Sequence, residues 1–293
     1  MDYLLLVVAT AASSGKAIFC KLCGSAKGRD SFLVNFKSFL VAFLVALAFA
    51  ARDLKNLSDI SLFSLLLAIG FGFSVGFTQF TQMKAMATGP ASITTLIYSS
   101  SFLIPIIFAS IVWGEPVSVW QLVGVGILLV SLFLIVFERG GGRANAVWLI
   151  FVALATLGSG ANAIIQKTHQ KSDFSSELNL FLVLALLFSA LFSLAMYFIS
   201  RPSEDCEVKE KKASLGSSIL FPIVLGASVG CLNFLNLKLA GNLPSVVHFP
   251  VLNVGSLILT SVISIVCFKE RLSARRIVGF ILGVGAILLI GLT

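Results

Sequence analysis

Long apolar runs, separated by short segments rich in charge, glycine and proline, dominate the pattern of this chain. A helix needs about 20 apolar residues to cross the hydrocarbon layer of a membrane. The runs are continuous and do not alternate with a period of two, so they predict helices and not the strands of a barrel. Ten helices are predicted, at residues 3–22, 32–51, 60–83, 90–113, 117–137, 145–167, 177–200, 216–239, 245–268 and 274–292.

Composition points to the same class of protein. Of the 293 residues, 58% are hydrophobic and 12% are charged, whereas a soluble domain has about 25% charged residues. These values exclude a soluble enzyme, a disordered chain and a disulfide-stapled secreted domain. The first apolar run follows Met1-Asp2 without a basic segment or a small-residue cleavage site, so we expect it to be retained as a helix. The predicted fold class is all-α: a polytopic membrane protein with ten transmembrane helices.

The net charge of +8 would suggest nucleic acid as a partner of a soluble protein, but no basic stripe interleaved with aromatic residues is present. Segments that follow odd-numbered helices carry fourteen Lys and Arg, against five on the opposite side. Cytoplasmic loops of membrane proteins are enriched in these residues. The charge count therefore predicts a multi-pass protein of the cytoplasmic membrane with both termini outside the cytoplasm.

An internal repeat relates the two halves of the chain. Residues 72–84 read GFSVGFTQFTQMK and residues 226–238 read GASVGCLNFLNLK, with six of thirteen positions identical. In the same register Pro90 meets Pro244, and the first helix aligns with the sixth so that Lys16 meets Asn162. Because each unit holds five helices, an odd number, the second unit enters the membrane from the opposite side. We expect two inverted five-helix repeats, residues 1–139 and 140–293.

Each predicted unit ends on the same kind of turn. Residues 113–124 read WGEPVSVWQLVG and residues 268–279 read FKERLSARRIVG, so a Glu-x-x-Ser turn opens a glycine-bearing helix in both. Together with the five-plus-five plan, these segments resemble the EamA-type drug/metabolite transporter superfamily. The resemblance implies a secondary carrier of small metabolites. It also implies cytoplasmic termini, opposite to the charge count, and both orientations stay open.

Local patterns within this plan have structural interpretations. Ser118 and Gln121 have the spacing of a capping box, and the turn that holds Glu115 is expected to be structural. The pairs Gly72/Gly76, Gly226/Gly230 and Gly279/Gly283 are spaced for close helix packing. Cys20 and Cys23 have the spacing Cys-x-x-Cys, but the chain has no second pair with this spacing. We therefore expect both to be packing residues and not a metal or redox site.

Polar residues inside the apolar runs are the candidate solute-binding residues, because burying them in hydrocarbon is costly. Lys16 either extends to the membrane interface or faces a central cavity that receives a carboxylate or phosphate. The paired carboxamides either join helices or line that cavity. His248 is either a core residue or a carrier of coupling protons. The full set is Lys16, Gln79, Gln82, Tyr98, Asn162, Gln166, Asn233, Asn236, His248 and Asn253.

The acidic residues all fall in predicted loops or at helix ends, which disfavours proton exchange through an intramembrane carboxylate. The small multidrug members of the superfamily use a glutamate in their first helix, where this chain has Lys16. His169 is expected in a loop, and no catalytic, Walker or metal motif is present. We therefore expect no enzyme activity, metal or cofactor.

The leading functional hypothesis is a permease that moves a small polar metabolite, amino-acid-like or anionic, by alternating access. The expected partners are that solute and membrane lipid, and the chain is expected to be a monomer or a homodimer. Two other classes stay open: a translocase of lipid-linked headgroups and a non-transporting membrane partner or receptor.

Overall fold

The computed structural model describes residues 2–23, 29–53, 60–88, 91–136, 146–200, 220–268 and 274–292, and no strand occurs among them. Most of these residues lie in eleven helices. They are α1 (Asp2–Cys23), α2 (Arg29–Phe49), α3 (Leu62–Thr88), α4 (Ala91–Ser99), α5 (Leu103–Val112), α6 (Val119–Val136), α7 (Ala146–Gln170), α8 (Leu178–Ile199), α9 (Phe221–Asn242), α10 (Ser245–Phe268) and α11 (Ala274–Leu292).

The all-helical, multi-span architecture predicted from the apolar runs is confirmed. Within the described residues, seven segments are long and apolar enough to cross a membrane, and α6, α10 and α11 contain shorter apolar stretches. Helices α4 and α5 share the fourth predicted run, because a 3₁₀ turn at Ser100–Phe102 interrupts it. The turn that carries Glu270 and the loop around Cys206 lie outside the described residues.

Three helix ends differ from the prediction in a way that matters for the site. The prediction ended a helix at Lys167 and placed His169 in a loop, but α7 continues to Gln170. His169 is fully buried and stacks on Phe181, with 4.2 Å between ring centroids. The prediction was wrong because His169 has a partner on α3, Ser64, and Lys167 has one in the turn before α6, Glu115. A hydropathy pattern along one segment does not reveal such partners. Lys84, also predicted beyond a helix end, lies within α3, and α9 continues past its predicted end to Asn242.

Two large hydrophobic clusters form most of the core in the described part of the chain. The first joins α2, α3, α8 and α9 around Phe39, Phe71, Phe181 and Leu225. The second joins α5, α6, α10 and α11 and includes Ile106, Leu128, Phe249 and Ile290. Helix α1 packs on α9 and α10, whereas α7 packs on α3, α4, α5 and α9. Helices α1 and α7 therefore connect the two clusters.

The glycines predicted to allow close packing do so. A Cβ atom added to Gly72 would lie 2.5 Å from the carbonyl oxygen of Ala185 in α8, and one added to Gly226 would overlap the carbonyl oxygen of Ser38 in α2. The glycines thus let α3 approach α8 and let α9 approach α2 at backbone contact distance.

The capping box is confirmed at the start of α6. The Ser118 amide donates to Gln121 Oε1 at 3.0 Å, and the Gln121 amide donates to Ser118 Oγ at 3.1 Å. Just before it, Gly114 has a φ of 60°, which is a backbone conformation that glycine adopts without strain. These two features fix the turn that carries Glu115.

Candidate functional site

Helix α7 carries a polar stripe that reaches three neighbouring segments. Ser159, Asn162 and Gln166 follow one another at helical spacing, so they share one face. The hydroxyl oxygens of Ser159 and Ser101 lie 2.9 Å apart, which joins α7 to the 3₁₀ turn. Asn162 Nδ2 donates to Thr78 Oγ1 on α3 at 3.3 Å.

Gln166 joins this stripe to α9. Its Nε2 donates to Asn233 Oδ1 at 3.1 Å, and its Oε1 accepts from Asn236 Nδ2. Asn233 Nδ2 donates to the carbonyl oxygen of Val229, one turn earlier in α9. The structure thus brings three of the sequence-predicted residues into one carboxamide cluster between α7 and α9.

Two acceptors near this cluster have no partner. Asn162 Oδ1 and Asn236 Oδ1 are buried, and no hydrogen bond to either is found within the described residues. A buried acceptor without a donor costs about 1–3 kcal/mol. Both oxygens could accept a hydrogen bond from an ammonium, amide or hydroxyl group of a solute.

Gln79 has a different environment, although it aligns with Asn233 in the repeat. It is 4% exposed, and its Nε2 donates to Asn35 Oδ1 at 2.9 Å. This hydrogen bond connects α3 to α2 inside the first hydrophobic cluster. Gln82, one turn further along α3, is half-buried.

Lys16, Tyr98 and Asn253 are half-buried and lie outside the carboxamide cluster's hydrogen bonds. Among the described residues no ion pair involves Lys16, whose neighbours on α1 contact two other helices. Ser14 Oγ donates to the carbonyl oxygen of Ser256 on α10 at 3.0 Å, and a Cβ on Gly15 would lie 3.3 Å from Ser228 Oγ on α9. Asn253 uses its Nδ2 within its own helix, donating to the carbonyl oxygen of Phe249.

His248 is fully buried in α10 and stacks on Phe249 with 4.6 Å between ring centroids. Neither ring nitrogen has a hydrogen-bond partner among the described residues. Ser245, one turn earlier, is also buried, and its hydroxyl is unpartnered in the same part of the structure.

The sequence did not reveal an ion-pair cluster at the end of α7. Glu115 Oε1 lies 2.6 Å from Lys167 Nζ and 2.9 Å from Lys171 Nζ, and Glu115 Oε2 accepts from the Ser245 amide at 3.0 Å. Lys167 Nζ also donates to the carbonyl oxygen of Leu243 at 3.2 Å. The available signal was the i, i+4 spacing of Lys167 and Lys171 on one helix face.

The charge state of Glu115 follows from these partners. Burial by itself raises the pKa of this carboxyl. Hydrogen bonds from Lys167, the Ser245 amide and Lys171, together with the charge of Lys167, outweigh burial and lower the pKa from 4.5 to about 2. Glu115 is therefore a carboxylate at neutral pH.

A second polar cluster at the same end of the bundle holds three helix ends together. Ser64 Oγ on α3 and His169 Nε2 on α7 lie 3.1 Å apart. Glu177, just before α8, accepts from the hydroxyl of Ser61 at 2.7 Å and from its amide at 3.2 Å, ahead of α3. These contacts cap helix ends and involve no lysine.

Within the described ranges, no group of three His, Cys, Asp or Glu side chains is placed to hold a metal ion.

Comparisons with known proteins agree with this architecture. Residues 1–137 match the model of the EamA-like transporter family. A crystal structure described only as that of a protein superposes with a TM-score of 0.78 at 16% identity, covering 99% of this chain and 96% of the other. That likeness concerns the fold alone. The curated proteins include no match to this sequence.

The family match covers the Glu115 turn and ends just after α6. It confirms the resemblance indicated by the Glu-x-x-Ser turn and the helical plan: the chain is a multi-span membrane protein whose first 137 residues are similar to the EamA-like transporter family.

Proposed function

We propose that the chain is a secondary transporter of a small polar metabolite, and that two inverted five-helix repeats, residues 1–139 and 140–293, provide alternating access across the cytoplasmic membrane. The packing pattern carries this proposal. Helix α1 packs on α9 as α3 packs on α7, and α2 packs on α9 as α3 packs on α8. In the repeat alignment α1, α2 and α3 correspond to α7, α8 and α9, so the two contacts in each pair are equivalent. Equivalent contacts of this kind are expected of a transporter built from two similar halves.

Two further observations support the division into repeats. The family match, residues 1–137, spans almost the same range as the first proposed repeat. The approach of Gly72 to Ala185 and that of Gly226 to Ser38 are made by glycines at matching repeat positions. Such duplicated contacts are expected when two units share one fold.

The proposed solute site combines α7, α9 and α1. Asn162 Oδ1 and Asn236 Oδ1 are buried acceptors that lack donors in the described structure. Lys16 is a half-buried cation on the helix that corresponds to α7. Acceptors with a cation fit a solute that carries both donors and a negative group, such as a zwitterionic amino acid, or an anion with hydroxyl groups.

Polar residues on α3, α4, α7, α9 and α10 complete the proposed set. Gln82, Tyr98, Gln166, Asn233 and Asn253 are the remaining intramembrane polar residues of the proposed solute path. We place Gln79 and His248 outside direct solute contact in the described state, because both are buried among helices.

Flux into proteoliposomes tests the proposal. The purified chain is reconstituted, and uptake of radiolabelled amino acids and small organic anions is compared with uptake into liposomes that contain Asn162→Leu protein. Saturable uptake that requires Asn162 supports a solute carrier. Movement of a fluorescent lipid headgroup without solute uptake would indicate a lipid translocase. Neither activity, with folded protein, would leave the non-transporting membrane partner.

A further inference from the structure

Glu115 is the point where three segments meet at one end of the bundle. It lies in the turn between α5 and α6, its lysine partners lie at the end of α7, and the Ser245 amide belongs to the first turn of α10. Lys167 adds the carbonyl oxygen of Leu243 in the connection between α9 and α10. The Glu115 carboxylate thus binds the start of α10, and the Lys167 ammonium binds the residue that follows α9. The ion pair between them links this connection to α7 and to the turn between α5 and α6.

We propose that the ion pairs of Glu115 with Lys167 and Lys171 form a latch that keeps this end of the transporter closed, and that they break when the end opens. The proposal rests on the proposed transport function and adds the contact that controls access. In the described state Lys167 is 2% exposed and Glu115 is 14% exposed, so the pair is largely shielded from solvent.

Ionic chemistry suits a contact that must form and break. Desolvating a buried ion pair nearly cancels its Coulomb attraction, so the pair adds little net stability over the two hydrated ions. When the end opens, water solvates both groups and replaces the lost interaction. Lys171, which is 36% exposed, already brings the shared carboxylate close to solvent. The closed and open states can therefore be similar in free energy.

Removing one partner acts differently from opening. If Glu115 loses its charge, the buried Lys167 ammonium loses its counter-ion and keeps only uncharged acceptors, among them the Leu243 carbonyl oxygen. A buried ammonium without a counter-ion is strongly unfavourable, whereas the hydrated ammonium of the open state is not. Neutralising Glu115 therefore favours the open state.

Ser245 supplies a reporter that leaves the latch intact. Its side chain is 1% exposed and its hydroxyl has no partner within the described residues, whereas its amide is the group that binds Glu115. Ser245→Cys, in a chain whose five native cysteines are replaced by alanine, preserves that amide. A hydrophilic maleimide reaches the thiol only when this end opens.

The experiment measures the maleimide labelling rate of Ser245→Cys in lipid nanodiscs, without any solute. The labelling rate is proportional to the fraction of molecules in which this end is open. Adding Glu115→Gln should raise that fraction, and with it the labelling rate, at least about tenfold. Glu177→Gln is the matched control: the same change at the same end, in an acid that binds Ser61 and no lysine. That control should label at the original rate.

A lower melting temperature in Glu115→Gln with an unchanged labelling rate would mean a static structural contact and would overturn the latch. If Glu115→Gln does not fold, Lys171→Gln replaces it, because that partly exposed side chain can change without loss of the fold. A faster rate in Lys171→Gln supports the latch, and an unchanged rate overturns it. Since no solute is present, these outcomes are independent of whether the protein transports a metabolite.

Discussion

The hydroxyl oxygens of Ser101 and Ser159 lie 2.9 Å apart where α7 crosses the 3₁₀ turn between α4 and α5. A 3₁₀ stretch in the middle of a long helix often marks a hinge. In the first repeat, Ser14 on α1 makes a related contact one residue beyond the position that aligns with Ser159: its hydroxyl donates to the carbonyl oxygen of Ser256 on α10. A serine on α7 thus contacts the 3₁₀ turn, and a serine on α1 contacts α10. Each contact is a single hydrogen bond, which can be exchanged for another when the helices move.

Gly72→Ala should destabilise the protein by about 1–3 kcal/mol, the usual cost of overpacking. The added Cβ would lie 2.5 Å from the carbonyl oxygen of Ala185, so α3 and α8 must separate. Gly70→Ala is the control on the same helix, because nothing lies within 4 Å of its added Cβ. Thermal unfolding in detergent should show a lower midpoint for Gly72→Ala only; equal midpoints would contradict the close approach.

The sequence predicted much of the fold because its signals are local. Apolar length identified the helices, the Gly-x-x-x-Gly spacing identified close packing, and the Ser118/Gln121 spacing identified a capping box that the structure contains. Each of these depends on residues within one or two turns of a single helix. Local patterns of this kind can be interpreted without knowledge of tertiary neighbours.

The environments of individual polar residues were not predictable in the same way. The prediction ended a helix at Lys167 and placed His169 in a loop because polar residues end an apolar run, yet Glu115 and Ser64, distant in sequence, provide partners for the two side chains. Gln79 and Asn233 occupy matching repeat positions, but their partners differ. Gln79 donates to Asn35 on α2, whereas Asn233 accepts from Gln166 on α7. The interruption at Ser100–Phe102, by contrast, has a local cause that the hydropathy pattern did not show, because Pro105 cannot donate a hydrogen bond to the carbonyl oxygen of Ser101 one turn earlier.

Gln79→Leu should lower stability while flux per folded molecule stays near wild type. The change leaves Asn35 Oδ1 without its donor in a buried site, at a cost of about 1–3 kcal/mol. The double variant Gln79→Leu/Asn35→Leu should recover most of the loss, because both polar partners are then absent. Loss of flux in Gln79→Leu at unchanged thermal stability would instead assign Gln79 to the solute path.

The contribution of Glu115 to stability should depend on pH in a defined window. Its pKa falls from 4.5 to about 2 in the folded protein, so its stabilisation is fully present above pH 4.5 and is lost as the pH falls towards 2. The difference in melting temperature between wild type and Glu115→Gln should stay constant from pH 8 to pH 5 and shrink below pH 4.5. A difference that vanished between pH 7 and pH 5 would contradict this account.

Glu270→Gln should have the opposite effect to Glu115→Gln on access. The repeat alignment matches Glu270 with Glu115 and Lys21 with Lys167, although these side chains lie outside the described residues. If the second pair favours closure of the other end, neutralising Glu270 stabilises the state in which the Glu115 latch is closed. Maleimide labelling of Ser245→Cys should then slow. Faster labelling would argue against alternation between two equivalent pairs.

Lys16 supplies the test of solute charge. It is half-buried, and among the described residues it has no carboxylate partner. An anionic group of the solute would provide the missing counter-charge in the cavity. Lys16→Gln should therefore weaken binding of an anionic or zwitterionic solute strongly, whereas Lys16→Arg should retain part of the affinity because the charge is kept and the shape changes.

The matched control is Lys238→Gln, which removes an exposed lysine from α9. Solute affinity, measured for the four proteins by the ligand-induced rise in melting temperature, separates charge recognition from a general effect of net charge. Equal loss of affinity in Lys16→Gln and Lys238→Gln would indicate only a change in the overall field. Wild-type affinity in Lys16→Gln would mean that the side chain extends to the membrane interface, and the carboxamides alone would then have to select the solute.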